Sequence, residues 1–458
     1  MNSLEKFFEN IPKDNTRKVL NNSVEIDKSV FYPRHTNPNT KKIYLLSKNS
    51  VIIIDGHTNN MIKKLDIKNT ISIIINPNTN KVYLLSSDPG MITVLDGFSD
   101  CKDCVLEGSF DSKLKLEEFL SPRHFQIDYT KNLLYVMNKK LDSVFVINGT
   151  DNKIIQTINV NNVESIDLNS TINILYISCA TKKSWFGQSH DNELILFDTE
   201  TNQITKTINL GTFSWMINSN TNNLYVWYYL GNVLVIDGKN GEIIKTIEDC
   251  KLSDCFFSSA TNKLYVFSAS NDSIYLIDGK TNLLIKRISI KNPGNVIINQ
   301  KTNRAYVLDT NNQFVYVIDD STGELIDTIL LPFEGSLLRT SVTINLEKNI
   351  LYAWKFTEID EGSSNIDFFI FNLSTKKLLN SFYSNDLNCD IEIDANSNQI
   401  FIAYFPKKSI FVLNHDATKI IETIDVEKGK IKFYTLPEIN KILYTRSTFF
   451  KKYLGMIN

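Results

Sequence analysis

Residues 261–290 read TNKLYVFSASNDSIYLIDGKTNLLIKRISI. Three short runs rich in Leu, Ile, Val, Tyr and Phe are separated by clusters of Ser, Asn, Asp and Gly. Runs of this length, β-branched or aromatic in content and bounded by turn formers, are strands rather than helices. With the run at 255–259 that precedes Ala260-Thr261-Asn262, the stretch resolves into four strands, A (255–259), B (263–268), C (273–278) and D (283–290). Asp278-Gly279 sits between C and D, a pair that tolerates the positive φ of a tight hairpin. The Thr-Asn cluster between A and B offers side chains that hydrogen-bond their own backbone.

The same phrase recurs along the chain. Residues 131–160 read KNLLYVMNKKLDSVFVINGTDNKIIQTINV, and residues 221–248 read TNNLYVWYYLGNVLVIDGKNGEIIKTIE. One aromatic residue inside an apolar triplet marks each copy: Tyr44, Tyr83, Tyr135, Tyr176, Tyr225, Tyr265, Tyr306, Tyr352, Phe401 and Tyr444, spaced 39 to 52 residues apart. A period of roughly 40–50 residues, each copy holding four short strands, is the signature of a β-propeller blade. The fold class expected is therefore all-β, a single closed β-propeller over residues 16–458, of ten four-stranded blades. The last copy stops after its C strand, and Thr16–Ile26 has the form of a D strand. An N-terminal strand completing the last blade would remove the exposed sheet edges. Two rings of five are the rival arrangement, but each would need its own closing strand and only one is spare. Residues 1–15 form an extension whose SLEKFFENIP segment has the pattern of a short amphipathic helix, able to plug the axial hole or to fray.

The phrases LYV, VxVID and VIxTI at this spacing resemble the YVTN-repeat β-propellers, a surface-layer-associated family. The resemblance covers residues 16–458 and implies the fold; the shared residues build sheets, so it implies no catalytic residues. Those propellers are usually seven-bladed and exported, and this chain departs from both habits.

Composition narrows the function classes. Of 458 residues, 49 are Lys or Arg and 51 are Asp or Glu, a formal charge of −2, so neither nucleic acid nor an anionic membrane is an expected partner. No apolar run approaches the ~18 residues of a spanning helix. The opening MNSLEKFFENIPKDNTRKVL has no basic segment followed by an apolar run, so a cytoplasmic location is expected, with the cell surface or secretion by another route as the alternative. Six scattered cysteines do not make a disulfide framework. Cys101-Lys-Asp-Cys104 has metal or redox spacing but supplies only two of the four ligands zinc wants, so no metal and no cofactor is expected.

Insertions point to a binding face. They fall at 181–193 and 355–367, between strands B and C of blades four and eight, and at about 107–121, between D of blade two and A of blade three. B–C and D–A loops share one face, and repeat scaffolds gather insertions on the binding face. Trp185, Phe186 and His190 lie in the blade-four insertion; Trp215, Trp227, Tyr228 and Tyr229 follow in blade five. These aromatic residues are the candidate ligand contacts, for a protein anchor or a stacked sugar, with packing between blades as the competing role of Trp215 and Trp227. Pro33-Arg34-His35 and Pro122-Arg123-His124 place Arg34, His35, Arg123 and His124 on A strands, as candidates for a site in the channel. No nucleophile elbow, P-loop, zinc-protease or EF-hand motif occurs. The expected function is a non-enzymatic binding or scaffolding propeller that engages a protein through its B–C/D–A face. A glycan-binding protein and a lyase or hydrolase with its site in the channel are the alternatives.

Overall fold

The computed structural model describes residues 2–457 apart from 15–16, 20–23, 27–29, 48–49, 59–60, 87–90, 100–101, 108–124, 139–140, 184–188, 212, 229–230, 249–253, 269, 292, 310–313, 333–339, 361–362, 385–388, 395–397, 405–407, 426–429, 437–440 and 448–451. The chain is an all-β propeller. Nine sheets repeat the expected unit of four consecutive antiparallel strands, over 30–65, 70–107, 125–159, 163–209, 214–247, 254–289, 293–330, 340–384 and 389–425. These are blades one to nine, where the repeat count anticipates ten. The remaining sheet is composite: Lys430–Leu436, Lys441–Ser447 and Lys452–Ile457 carry Val24–Ile26 at their edge, with Val24 opposite Leu454. Among the described residues no backbone ladder runs from one sheet into another, so hydrogen bonding between sheets closes no ring.

The opening segment also differs from the single D strand expected over 16–26. Arg17–Val19 pairs in parallel with blade nine, placing Val19 opposite Asp425 rather than against 453–458. The chain divides into two compact units: one holds blades one to five with residues 279–282 of the blade-six C–D turn, and the other holds the rest of blade six, blades seven to nine, the composite sheet and residues 1–28.

Within each blade, strands B and C are buried on both faces, as in Lys263–Ser268 and Ser273–Asp278, which explains their unbroken apolar runs. Strand D is half exposed and carries the charged residues. In blades one, two, four and eight strand A ends on, or one residue before, a buried Asn whose side chain works twice. In blade one the Asn37 Oδ1 accepts the amides of Asn39 (2.9 Å) and Thr40 (3.3 Å), while its Nδ2 donates to Asn80 Oδ1 of blade two (2.8 Å). The same relay joins Asn76 to Asn132 (2.7 Å), Asn169 to Asn222 (3.0 Å) and Asn345 to Asn398 (2.7 Å). Each accepting Asn closes its A–B turn with a positive φ, 53° at Asn80 and 63° at Asn222, a conformation Asn tolerates better than other side chains.

The marker tyrosines make a second tie between neighbours. The Tyr176 hydroxyl donates to the Gly238 carbonyl (2.7 Å), Tyr225 to Asn282 Oδ1 (3.0 Å), and Tyr352 to the His415 carbonyl (2.7 Å). Tyr265 donates to the buried Asp320 carboxylate, which also pairs with Lys263 at 3.4 Å. Burial pushes the Tyr135 phenol up to about 12, so the hydroxyl remains a donor. These ties land on the C–D turns of the next blade and explain why a Tyr, rather than a Phe, marks most copies.

The Asp-Gly pairs have a different cause from the one their sequence suggests. No positive φ is found at Gly97, Gly149 or Gly238; the left-handed residue comes later in the turn, at Asn152, Gly241, Asn282 or Gly323. The first glycine instead lies against the A–B turn of its own blade, where the Gly97 amide donates to the Asn80 carbonyl at 2.8 Å. A Cβ on Gly238 would fall on the Asn222 carbonyl oxygen and on the Tyr176 hydroxyl.

The N-terminal extension neither plugs a hole nor frays. Asn2–Ser3 pairs in parallel with the D strand of blade eight, and the helix Leu4–Asn10 follows. Phe7 packs on Phe382 of blade eight (4.9 Å) and Phe8 stacks on Phe411 of blade nine (3.8 Å), leaving Phe8 only 1 % exposed. The Pro12 carbonyl and Asp14 amide then bond both backbone groups of Ile420.

Replacing Gly238 by Ala should lower the unfolding free energy by about 1–3 kcal/mol, since backbone cannot yield to the added methyl. Exposed Lys239→Ala should change it by less than about 0.5 kcal/mol. Denaturant titration of the two variants checks this.

Candidate functional site

In each compact unit one blade lengthens its B and C strands. Strands B and C are usually about six residues long, but in blade four they run over Ile174–Lys183 and Ser189–Asp198, and in blade eight over Ile350–Asp360 and Ser363–Asn372. The insertions expected as loops at 181–193 and 355–367 are therefore mostly hairpin, paired as far as Lys183 with Ser189 and Asp360 with Ser363. A ladder continued beyond the sheet holds a tip at a defined distance and direction, which a loop of the same length does not. The third insertion, 107–121, lies almost wholly outside the described residues.

Of the candidate contacts, Trp185, Phe186 and Tyr229 lie outside the described residues, and His190 falls on a β-bulge of the blade-four hairpin. Trp215 is 2 % exposed and packs with Phe213 (5.5 Å), Tyr176, Leu194 and Leu210 in the core between blades four and five. It is a core residue, which overturns its reading as a ligand contact. Trp227 is half-buried and lies opposite Ser214, while Trp215 lies opposite Val226. Side chains alternate along a strand, so the two tryptophans point to opposite faces of one sheet and cannot form one stacking platform. Tyr228 is partly buried in the short turn that its carbonyl closes with the Gly231 amide (2.9 Å), and burial raises its phenol pKa.

On strand A of blade one, Arg34 pairs opposite Leu45 and His35 opposite Tyr44. Arg123 and His124 lie outside the described residues, immediately before the blade-three A strand, Phe125–Asp128. His35 lines a cavity of about 420 Å³ where the A strands of blades one, two and three end. Blade one contributes His35, Thr36 and Pro38; blade two contributes Ile73, Ile74, Ile75 and Pro77; blade three contributes Phe125, Gln126, Ile127 and Tyr129. The Gln126 amide is steadied by the Ile166 carbonyl of blade four at 3.4 Å. Reading the sequence by motif misses this cavity, because its walls are ordinary strand residues. Its signal lies in the alignment of repeats: Pro38, Pro77 and Tyr129 each follow the buried polar residue that closes strand A (Asn37, Asn76 and Asp128), where blades four and five have Ser170 and Ser219.

Chemistry-bearing groups elsewhere are structural. Cys101 is outside the described residues and Cys104 lies on a strand opposite Val94. Among the described residues no group of three or more His, Cys, Asp or Glu is placed to hold a metal. Cys179 is fully buried, with its thiol pushed up to about 12 by burial and by the carboxylates of Glu193, Glu164 and Asp142. The recurrent carboxylates after strand C belong to turns. Asp198 accepts the amides of Thr201 and Glu200, both at 2.8 Å, and Asp96 accepts those of Ser99 (2.8 Å) and Phe98 (3.0 Å). These bonds hold both carboxyls below the usual range. Asp319 goes furthest, held at about 2 by the Ser321 hydroxyl, the Thr322 and Ser321 amides and the Arg304 guanidinium at 3.0 Å.

No family model matches the chain, and no curated protein matches it. Among solved structures, a eukaryotic initiation factor superposes with a TM-score of 0.56 at 11 % identity, covering 79 % of this chain and 90 % of that one. BamB from Moraxella catarrhalis superposes with a TM-score of 0.39 at 11 % identity, covering 73 % of this chain and 96 % of that one. The dihydro-heme d1 dehydrogenase NirN does so at 0.43 and 12 %, covering 80 % and 79 %. At such identities the first likeness supports the β-propeller fold and nothing finer; the YVTN resemblance rests on the repeat phrases alone.

The depressed Asp319 pKa fixes a pH window. The folded state favours the ionised form, so its contribution is complete above about pH 4 and is lost as pH falls towards 2. Asp319→Asn should flatten the acid limb of the stability curve in that window while changing nothing in the slope between pH 6 and 8. Thermal unfolding across pH checks it.

Proposed function

We propose that this propeller is a non-enzymatic binding or scaffolding protein that engages a protein partner through its B–C/D–A side. The observation that carries this reading is that each unit has one hairpin extending past its sheet, in blade four of one and in blade eight of the other. The other described blades keep B and C to four to six residues, so the extra length is not needed to build the sheet. Their sequences suit recognition by charge and by aromatic anchoring. Lys182, Lys183, Trp185 and Phe186 lie in one, and Glu358, Asp360 and Glu361 in the other. The carbohydrate reading loses Trp215, which is core.

Shortening the blade-four hairpin to a two-residue turn after Ala180, or changing Trp185 and Phe186 together to Ala, should leave thermal unfolding unchanged. The same changes should abolish recovery of a partner that cross-links to residues 181–191 or 356–366 in the intact chain. A partner that stays bound to both variants, or that cross-links only to A–B and C–D turns, contradicts the proposal.

A further inference from the structure

We propose that the joint between blades eight and nine is a peptide-recognition groove, and that residues 4–14 are its resident occupant. The segment it takes from another chain has the same chemistry. It presents two adjacent phenylalanines, an aliphatic residue four positions after the first, then a proline and, in extended backbone, a carboxylate. The reason starts in the repeat. In blades one, three, four, six and seven, the end of strand D places one buried aliphatic residue in the joint with the next blade. These residues are Ile67, Val160, Leu210, Ile290 and Leu331. Blade eight has Ser384 in that position, two residues past Phe382 as Val160 is two past Ile158. Its own repeat therefore offers no aliphatic residue for the joint.

Two aromatic rings from outside the repeat fill the joint instead. Phe7 packs on Phe382 at 4.9 Å, and Phe8 stacks on Phe411 at 3.8 Å with Tyr404 at 5.7 Å. Ile11, four residues after Phe7, is buried in the same cluster as Ala417 and Ile420. Glu5, Lys6, Glu9 and Asn10 of the same segment are exposed, so one face of the helix makes the contact. Beyond the helix the backbone pairs as a strand. The Pro12 carbonyl accepts the Ile420 amide and the Asp14 amide donates to the Ile420 carbonyl, both at 2.9 Å. Lys419 Nζ meets Asp14 Oδ1 at 2.7 Å. This joins helix-in-groove recognition to strand addition, both of them modes by which proteins hold linear segments. All of these contacts come from residues 7–14, so a separate chain can reproduce them. A helix of seven residues does not hold its shape in water, and the groove makes the docked conformation. The resident segment competes because it is tethered, at an effective concentration of roughly millimolar. The test below involves neither hairpin, so its outcome is independent of the protein-binding proposal.

The probe is a fluorescent peptide of residues 2–14, titrated by anisotropy against the full chain. Phe8→Asp in the full chain releases the resident segment, because an unpaired carboxylate cannot stay where Phe8 is only 1 % exposed. The peptide should bind the Phe8→Asp chain with a Kd of about 100 µM or below. That is at least about tenfold tighter than its binding to the parent chain, whose groove is occupied. A peptide that itself carries Phe8→Asp should not bind. Adding Lys419→Asp to the released chain should weaken the parent peptide about threefold, and Asp14→Lys in the peptide should restore it. Phe7→Ala, which adds no charge, releases the segment in the same comparison if Phe8→Asp lowers the yield of folded chain. Equal binding to parent and released chains, no binding to a folded released chain at millimolar peptide, binding of the Phe8→Asp peptide, or indifference to the charge exchange would each overturn the proposal.

Discussion

At the ends of the A strands of blades one, two, four and eight, a buried asparagine fixes how one blade meets the next. Its carbonyl oxygen satisfies two amides of its own A–B turn, and its amide group reaches the turn of the next blade, as from Asn37 to Asn80. Apolar burial between sheets is plentiful but non-directional, and would allow one sheet to slide on another. A side chain that must satisfy donor and acceptor in two blades at once has one position available, and leaving it unsatisfied at 0 % exposure is costly. The tyrosine ties from Tyr176, Tyr225, Tyr265 and Tyr352 reinforce the same end of the joint, on the C–D turn that lies against the A–B turn. Register between neighbours is thus set by polar groups, and the interior between them is free to vary in shape.

That freedom is used at the edges and at the mouth. Between blades eight and nine, Phe7 and Phe8 from the extension fill the space beside Phe382 and Phe411, and the extension's backbone bonds Ile420 as an added strand. Elsewhere the corresponding D-strand residues Ile154, Ile243 and Leu284 stay exposed, guarded by neighbouring lysines such as Lys153, Lys245 and Lys286 and by a bulge between strands C and D. Where the A strands of blades one to three end, Pro38, Pro77 and Tyr129 line a cavity.

The fold was legible because a blade states itself in local terms. Tyr265 in its triplet, Thr-Asn before it and Asp-Gly after it specify strand, turn and strand without reference to distant residues. The count was less legible, since the C-terminal copy and Thr16–Ile26 carry strand composition but no partner information. Only the structure divides that segment between blade nine and the composite sheet. The aromatic cluster misled for a definable reason: proximity in sequence hid that Trp215 and Trp227, paired through Ser214 and Val226, lie on opposite faces. The glycine of Asp-Gly was placed correctly and explained wrongly, because its contact with Asn222 is a tertiary fact that turn propensity does not contain.

The relay can be measured as a coupling. A double-mutant cycle on Asn37→Ala and Asn80→Ala, read by denaturant unfolding, should return an interaction energy within about 0.5–3 kcal/mol, because each single change orphans a buried group of the other residue. Strict additivity, to within about 0.3 kcal/mol, would show that the two side chains do not depend on each other and that the joint between blades is held by packing alone.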